Sequence, residues 1–310
     1  MRVIELGIGR GGTSKRCAVG TGLAFFIRLT PGISRSALIS RTSEMSRTAP
    51  DYDAYQSSFH DAFRTELYRI LDALPVPPNG QVLDVPCGNG FYCRRLAERF
   101  GAGGRVTAVD ASDEYLRLAR TAVAGRTGVD IREASAYELP FLDGTFDLVW
   151  CAQSLISLDP LRAVREMLRV AKRGGVVAIL EMDEFHHVLL PWPAELEAAI
   201  PPAVYAASIQ RYGDGVKLAP SRTLRGVLDR AGFESVCRVT HPFDRATPFD
   251  RPTAAFLTHY FGHLRWLIYP HLSIQMREAF DRMTDPDASD SLHHRPDVEM
   301  VCLNTVYLAS

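Results

Sequence analysis

From residue 81 the chain alternates short apolar runs with stretches whose apolar positions recur every three to four residues. The runs at 81–85, 105–110, 128–133, 146–152 and 175–182 have strand length and stop at turn residues. The stretches 89–100, 112–124 and 159–172 carry helical spacing. Strands that alternate with helices predict a parallel sheet covered on both faces. Upstream, Phe59, Phe63, Leu67, Ile70, Leu71 and Leu74 predict a helix from Ser57 to Leu74, which Pro75, Pro77 and Pro78 close. Beyond 182 the pattern changes. Pro191, Pro193, Pro201 and Pro202 punctuate a stretch that also holds Trp192 and Tyr205. A helix (221–231), a strand (233–240), a long helical stretch (252–283) and a final strand (297–308) follow.

The first 45 residues stand outside this alternation. They carry Arg2, Arg10, Lys15, Arg16, Arg28, Arg35 and Arg41 against only Glu5 and Glu44, and are rich in Ser and Thr. Such a composition matches an organelle transit peptide; an upstream extension, with translation from Met45, is the preferred reading. Gly7-Ile8-Gly9-Arg10-Gly11-Gly12 spells G-x-G-x-x-G here, but no helix and second strand follow it, so the βαβ context is missing.

The chemistry concentrates where strands end. Val82-Leu83-Asp84 runs into Val85-Pro86-Cys87-Gly88-Asn89-Gly90, and twenty residues later the next apolar run ends in Asp110. A strand ending in an acid, a glycine turn, a helix and a second strand ending in an acid is the layout of an adenosine-bearing cofactor site. A dinucleotide needs its pyrophosphate on a helix N-terminus behind three glycines, yet the third position is Cys93. A carboxylate at Asp84 repels a pyrophosphate and attracts a ligand that carries an ammonium and a sulfonium, as S-adenosylmethionine does. Asp110 is then placed to accept from ribose hydroxyls. Helix capping is the plainer role for either acid, but it does not explain acids at the ends of successive strands.

On these residues the chain resembles the class I S-adenosylmethionine-dependent methyltransferases, in the small-molecule group that includes the ubiquinone/menaquinone C-methyltransferases. Asp84 to Gly90 resembles the first motif, with Pro86 in place of the usual first glycine, and Asp110-Ala111-Ser112 resembles the ribose motif. The stretch from Leu139 to Asp147 resembles the approach to the fourth strand, and Arg173-Gly174-Gly175 the turn before the fifth. The likeness covers about residues 80–182. It implies a Rossmann-like, seven-stranded, mostly parallel sheet with helices on both faces and an antiparallel last strand. Residues 46–310 would then form one domain, with lid insertions at about 184–218 and 241–296. It also implies S-adenosylmethionine as cofactor, held by Asp84, Pro86, Gly88, Gly90, Asp110, Ala111, Ser135, Ala136 and the backbone at Cys151. Ser135 stands where relatives often carry an acid for the adenine amino group, and a hydroxyl accepts more weakly.

For the acceptor side, His186 and His187 follow the fifth strand and are the candidate bases for a hydroxyl acceptor; an exposed loop pair is the alternative. Gln153, just after the fourth strand, is placed to point at the substrate. Phe91, Tyr92, Tyr52 and Tyr55 are aromatics near the entrance, and Phe256, Tyr260, Phe261, Trp266 and Tyr269 give the late helix an aromatic stripe; packing accounts for most of these. His259 and His263 share a helix face at metal-binding spacing, but no glutamate lies between them and no third ligand is marked, so no metal is expected.

Net charge is −1, with no basic stripe, which argues against a nucleic-acid partner. The six cysteines form no C-x-x-C pair and no disulfide framework, as in a reducing cytoplasm. No apolar run nears the roughly 18 residues of a membrane span. The expected activity is methyl transfer to oxygen or nitrogen of a small molecule. A nicotinamide-dependent oxidoreductase and a non-catalytic protein of the same fold are the alternatives.

Overall fold

The computed structural model describes residues 50–100, 103–182, 188–213 and 220–310. The N-terminal extension with its glycine-rich stretch, and His186 and His187, lie outside the described residues.

The predicted first helix is two helices, α1 (Pro50–Ala62) and α2 (Arg64–Asp72), which meet at Phe63 with φ −119° and ψ 19°. The alternating region then gives β1 (Gln81–Asp84), α3 (Phe91–Phe100), β2 (Arg105–Asp110), α4 (Asp113–Ala122), β3 (Val129–Glu133), β4 (Phe146–Ala152), α5 (Pro160–Val170) and β5 (Ala171–Met182). Local chemistry sets several starts. Ser112 caps α4 by accepting from the Tyr115 N–H at 3.4 Å. Asp159 caps α5 by accepting from Arg162, with Pro160 in the first turn.

The Arg173-Gly174-Gly175 turn falls inside β5 rather than before it. Ala171 pairs with Phe146, the register then shifts, and pairing resumes at Val176 opposite Leu148. Gly174, at φ +78°, takes up the irregularity.

The remaining elements are β6 (Val188–Leu189), α6 (Ala194–Tyr212), α7 (Pro220–Ala231), β7 (Val236–Ala246), α8 (Arg251–Ile268), α9 (Ile274–Thr284) and β8 (Glu299–Ala309). The proline-rich stretch is therefore largely helical, with Pro201 and Pro202 inside α6. The long helical stretch breaks at a 3-10 turn over Tyr269–His271.

The sheet runs β3-β2-β1-β4-β5-β8 with β7 beyond β8. β1 to β5 pair in parallel, and β8 is antiparallel to β5, β6 and β7. It has eight strands rather than the expected seven. The extra one is β6, whose two residues pair with Val301 and Cys302 and prolong the β5 side of β8.

Side-chain alternation divides the interior in two. Val82, Ala108, Leu148, Trp150, Ala178 and Leu180 face one core with α1, α2, α3, α8 and α9. Leu83, Val109, Val149, Cys151, Val177 and Ile179 face the other with α5 and α7. No described helix is long and apolar enough to cross a membrane.

Candidate active site at the carboxyl edge of the sheet

β1, β2 and β4 end side by side, and their last residues lie where ligands bind in open parallel sheets. Asp84 closes β1 in register with Trp150 of β4 and Ala108 of β2. It is buried, and its Oδ2 has no hydrogen-bond partner. Burial, with the carboxylate of Asp110 adding, raises its pKa well above the usual carboxylate range. Asp110 is fixed from two sides: Oδ2 accepts from the Gly88 N–H at 3.0 Å and Oδ1 from the Ser112 N–H at 2.9 Å. Burial raises its pKa too, against those backbone donors. Two buried acids with one oxygen unmet form a site short of positive charge.

The loop between them is built for close approach. The Cys87 N–H bonds the Val109 carbonyl at 2.8 Å, which ties the loop to β2. Gly88 sits at φ +52°, and a Cβ there would enter open space. Gly90 is constrained for another reason: at φ +83°, its Cβ would lie 2.7 Å from Ala119 Cα, so α3 can meet α4 only without a side chain. Pro86 follows Val85 through a cis peptide. An unmet buried carboxylate, a fixed second acid and an uncovered glycine suit S-adenosylmethionine. Asp84 would meet its cationic end, Gly88 would give its backbone, and Asp110 and exposed Ala111 would flank its ribose.

The other cofactor candidates are placed less directly. Ser135 is exposed beyond β3, and its hydroxyl accepts from the Tyr137 N–H at 3.2 Å, while Ala136 is buried beside it. Cys151 turns its side chain into the core beneath the sheet, where burial raises the thiol pKa, so only its backbone reaches the strand end. Tyr55 stacks on His263 at 5.2 Å and on Phe256 at 6.0 Å, tying α1 to α8. Among the described residues no cluster of potential ligands could hold a metal ion.

The structure adds a histidine that the sequence reading passed over. His60 of α1 is buried, and its ring stacks on Phe91 at 4.0 Å and 10°. Its Nε2 lies 3.1 Å from Oε1 of Gln153, the residue just after β4. Tyr92 donates to the same oxygen at 3.4 Å, and the Gln153 amide nitrogen lies 3.8 Å from Met182 Sδ. Burial holds the His60 pKa down at about 4. Gln153 has φ +52°, alone in the left-handed region among described residues other than glycine. Glu181 supports that turn, since its Oε1 accepts from the N–H groups of Ser154 and Leu155 at 3.1 and 2.8 Å. A signal was present: His60 lies in phase with Phe63, Leu67, Leu71 and Leu74 on the apolar stripe, where an imidazole must be buried.

Comparison with known proteins agrees with this geometry. A family model described as a methyltransferase domain matches residues 83–179. A demethylmenaquinone methyltransferase from Bacillus cereus is 37% identical over 128 residues, 40% of this chain and 53% of that protein. A ubiquinone/menaquinone biosynthesis C-methyltransferase from Idiomarina loihiensis is 31% identical over 183 residues, 54% of this chain and 71% of that protein. The chain spans about half the length of the first curated relatives it matches. In fold it is similar to a Haemonchus contortus phospholethanolamine N-methyltransferase 2, with a TM-score of 0.51 at 18% identity, covering 91% of this chain and 61% of that one. With β1 to β5, both strand-end acids and the glycine loop in place, the chain belongs to the class I S-adenosylmethionine-dependent methyltransferases.

Proposed function

We propose that the protein transfers a methyl group from S-adenosylmethionine to a small-molecule acceptor. The observation that carries this is Asp84, a buried carboxylate with an unmet oxygen at the end of β1, one strand from Asp110. The cofactor, when bound, supplies a methyl already activated by its sulfonium. The protein's part is then to bind, orient and exclude water, and such positioning is worth roughly 7–11 kcal/mol. Asp84, Pro86, Gly88, Gly90, Asp110, Ala111, Ser135, Ala136 and the Cys151 backbone form the cofactor side. The segments 184–218 and 241–296 supply the acceptor side, with His187 or His186 as base for a hydroxyl.

Methylation of oxygen or nitrogen is the reading from the chain itself. The Idiomarina relative is named a C-methyltransferase, which extends the range to a carbon acceptor. The small-molecule class has indirect support: net charge is −1, with no basic stripe to hold a nucleic acid.

The test is transfer of tritium from methyl-labelled S-adenosylmethionine into extract of the source cells, separated by size. Label in the small-molecule fraction is the expected result. Label only in protein or nucleic acid refutes the acceptor class. No transfer, with cofactor bound, favours a non-catalytic protein of this fold. Thermal stabilisation by a nicotinamide cofactor but not by S-adenosylmethionine overturns the reading altogether.

A further inference from the structure

We infer that His60 is an acceptor-binding residue, whose Nδ1 takes a hydrogen bond from a hydroxyl of the molecule to be methylated. This rests on the methyltransferase reading and adds to it a residue and an acceptor chemistry.

The cluster lies where an acceptor must come. Gln153 follows β4, the strand beside Asp84, and Tyr92 packs on Trp150, the residue in register with Asp84, at 5.4 Å. His60, Tyr92 and Trp150 belong to the core on that same face.

The tautomer follows from the contacts. The Gln153 carboxamide turns its nitrogen to Met182 Sδ and its oxygen to His60 and Tyr92. The reverse orientation would set oxygen lone pairs against sulfur lone pairs. With an oxygen facing it, Nε2 carries the proton and donates, and Nδ1 is left with a bare lone pair. That Nδ1 is buried and has no partner. A buried acceptor left unmet costs about 1–3 kcal/mol, and the left-handed backbone of Gln153 adds strain of a kind that gathers at functional sites. A ligand's donor that completes the imidazole would offset the first of these costs.

The chemistry selects a hydroxyl. A pKa of about 4 keeps the imidazole neutral, so it accepts a hydrogen bond and does not take up the proton. An alkyl ammonium would bring a second cation beside a sulfonium and has no lone pair to attack with. A hydroxyl keeps a lone pair while donating its hydrogen, and the Phe91 and Tyr92 rings packed on His60 make its surroundings apolar.

The experiment uses the full chain with labelled histidine and nitrogen NMR, His60 being assigned by its loss in His60→Gln. The expected resonance pattern is the Nε2–H tautomer. With S-adenosylhomocysteine saturating and oxygen excluded, 1,4-dihydroxynaphthalene should shift Nδ1, and 1,4-dimethoxynaphthalene, which has no O–H, should not. His60→Gln keeps a link to Gln153 but loses the Nδ1 acceptor, and should weaken dihydroxynaphthalene binding at least tenfold. His60→Asn sets a carboxamide oxygen near the Nδ1 position and should restore most of it. S-adenosylhomocysteine affinity and melting temperature serve as folding controls. An Nδ1–H tautomer, no shift with the dihydroxy probe, or equal probe affinity in wild type and His60→Gln overturns the inference. Failure of S-adenosylhomocysteine to bind the wild type sinks the methyltransferase reading instead, and is read separately by calorimetry.

Discussion

Replacing Asp84 with Asn should move stability and cofactor affinity in opposite directions. In the protein without cofactor the buried carboxylate has one unmet oxygen and the charge of Asp110 nearby. Leaving such a group buried costs about 1–3 kcal/mol or more. An amide of the same size keeps the shape and removes the charge. A change of 1 kcal/mol moves melting by about 2–4 °C in a domain of this size, so a gain of roughly 2–12 °C is expected where the Asp84 carboxyl is ionised. The sign with pH follows from the raised pKa. Folded Asp84 binds its proton more tightly than unfolded Asp84, so stability falls as pH rises from the unfolded pKa through the folded one. The gain in Asp84→Asn should therefore be small in acid and grow as pH rises through the folded pKa. Affinity goes the other way. Removing one partner of a buried charge pair costs about 3–5 kcal/mol, a hundredfold to a few thousandfold in Kd. Scanning calorimetry and titration calorimetry with S-adenosylmethionine measure the two. An unchanged Kd, with or without a higher melting temperature, would refute the assignment of Asp84 to the cofactor's cationic end.

Gly90→Ala should lower stability by more than about 2 kcal/mol, read by urea denaturation, because a Cβ meets Ala119 Cα at 2.7 Å and φ is +83°. His60 must be buried neutral, and its pKa falls from 6.5 to about 4; the unfolded chain thus binds the extra proton first, and stability should drop by about 3 kcal/mol between pH 6.5 and 4. That acid slope should flatten in His60→Gln, which melting curves across the range would show. Arg245→Ala should cost about 1–3 kcal/mol by chemical denaturation, since its guanidinium pairs with Glu66 at 2.8 Å, donates to the Ala62 carbonyl at 2.6 Å and lies over the Phe63 ring. His187→Ala or His186→Ala should slow turnover of a hydroxyl acceptor by a hundredfold to ten-thousandfold without weakening S-adenosylmethionine binding; full turnover in the double variant would remove both as bases.

The alternating half was legible because β1, β2 and β4 are buried on both faces and its turns carry glycine. The ends of β1, β2 and β4 were read to within a residue, and the acids follow from those ends. What was missed lay beyond local pattern. The first helix divides at Phe63, which packs on Phe243 at 5.4 Å, a contact with a strand 180 residues away. β6 has only two residues and exists through pairing with β8. The proline run in α6 reads as a breaker locally, yet the helix persists, with Leu196, Ile200, Ala203, Val204 and Ala207 buried along it. His60 escaped because its partner, Gln153, is 93 residues distant.

The unmet buried polar atoms of the strands fall on one face of the sheet. Among the described residues, the buried side-chain atoms without a partner include Asp84 Oδ2, Trp150 Nε1, His60 Nδ1 and Asn304 Oδ1, together with atoms of Glu66, Arg126, Ser208, Thr253, Arg277 and His293. The strand residues of this set share the alternation of Val82, Leu148, Cys302 and Val306, and point to the core beneath α1 and α8. The helix residues lie on α1, α2, α6, α8 and α9, Arg126 and His293 lie between elements, and the core under α5 and α7 contributes none. There the polar atoms are met: the Tyr307 hydroxyl donates to the Ser221 carbonyl at 2.7 Å, and Glu166 accepts from the Leu139 N–H at 3.0 Å. Of the unmet atoms, Asp84 Oδ2 and His60 Nδ1 are those that the proposed ligands would complete. The acids at the ends of β1 and β2 account for a cation on that face. The bare imidazole of His60 accounts for a donor beside it, and α1 is the element common to both. Its Asp53 accepts from the Tyr115 hydroxyl at 2.8 Å, five residues beyond Asp110, while its His60 holds Gln153. On the proposed reading, a helix that sequence periodicity reads only as an amphipathic prelude to the domain reaches toward the cofactor side through Asp53 and toward the acceptor side through His60.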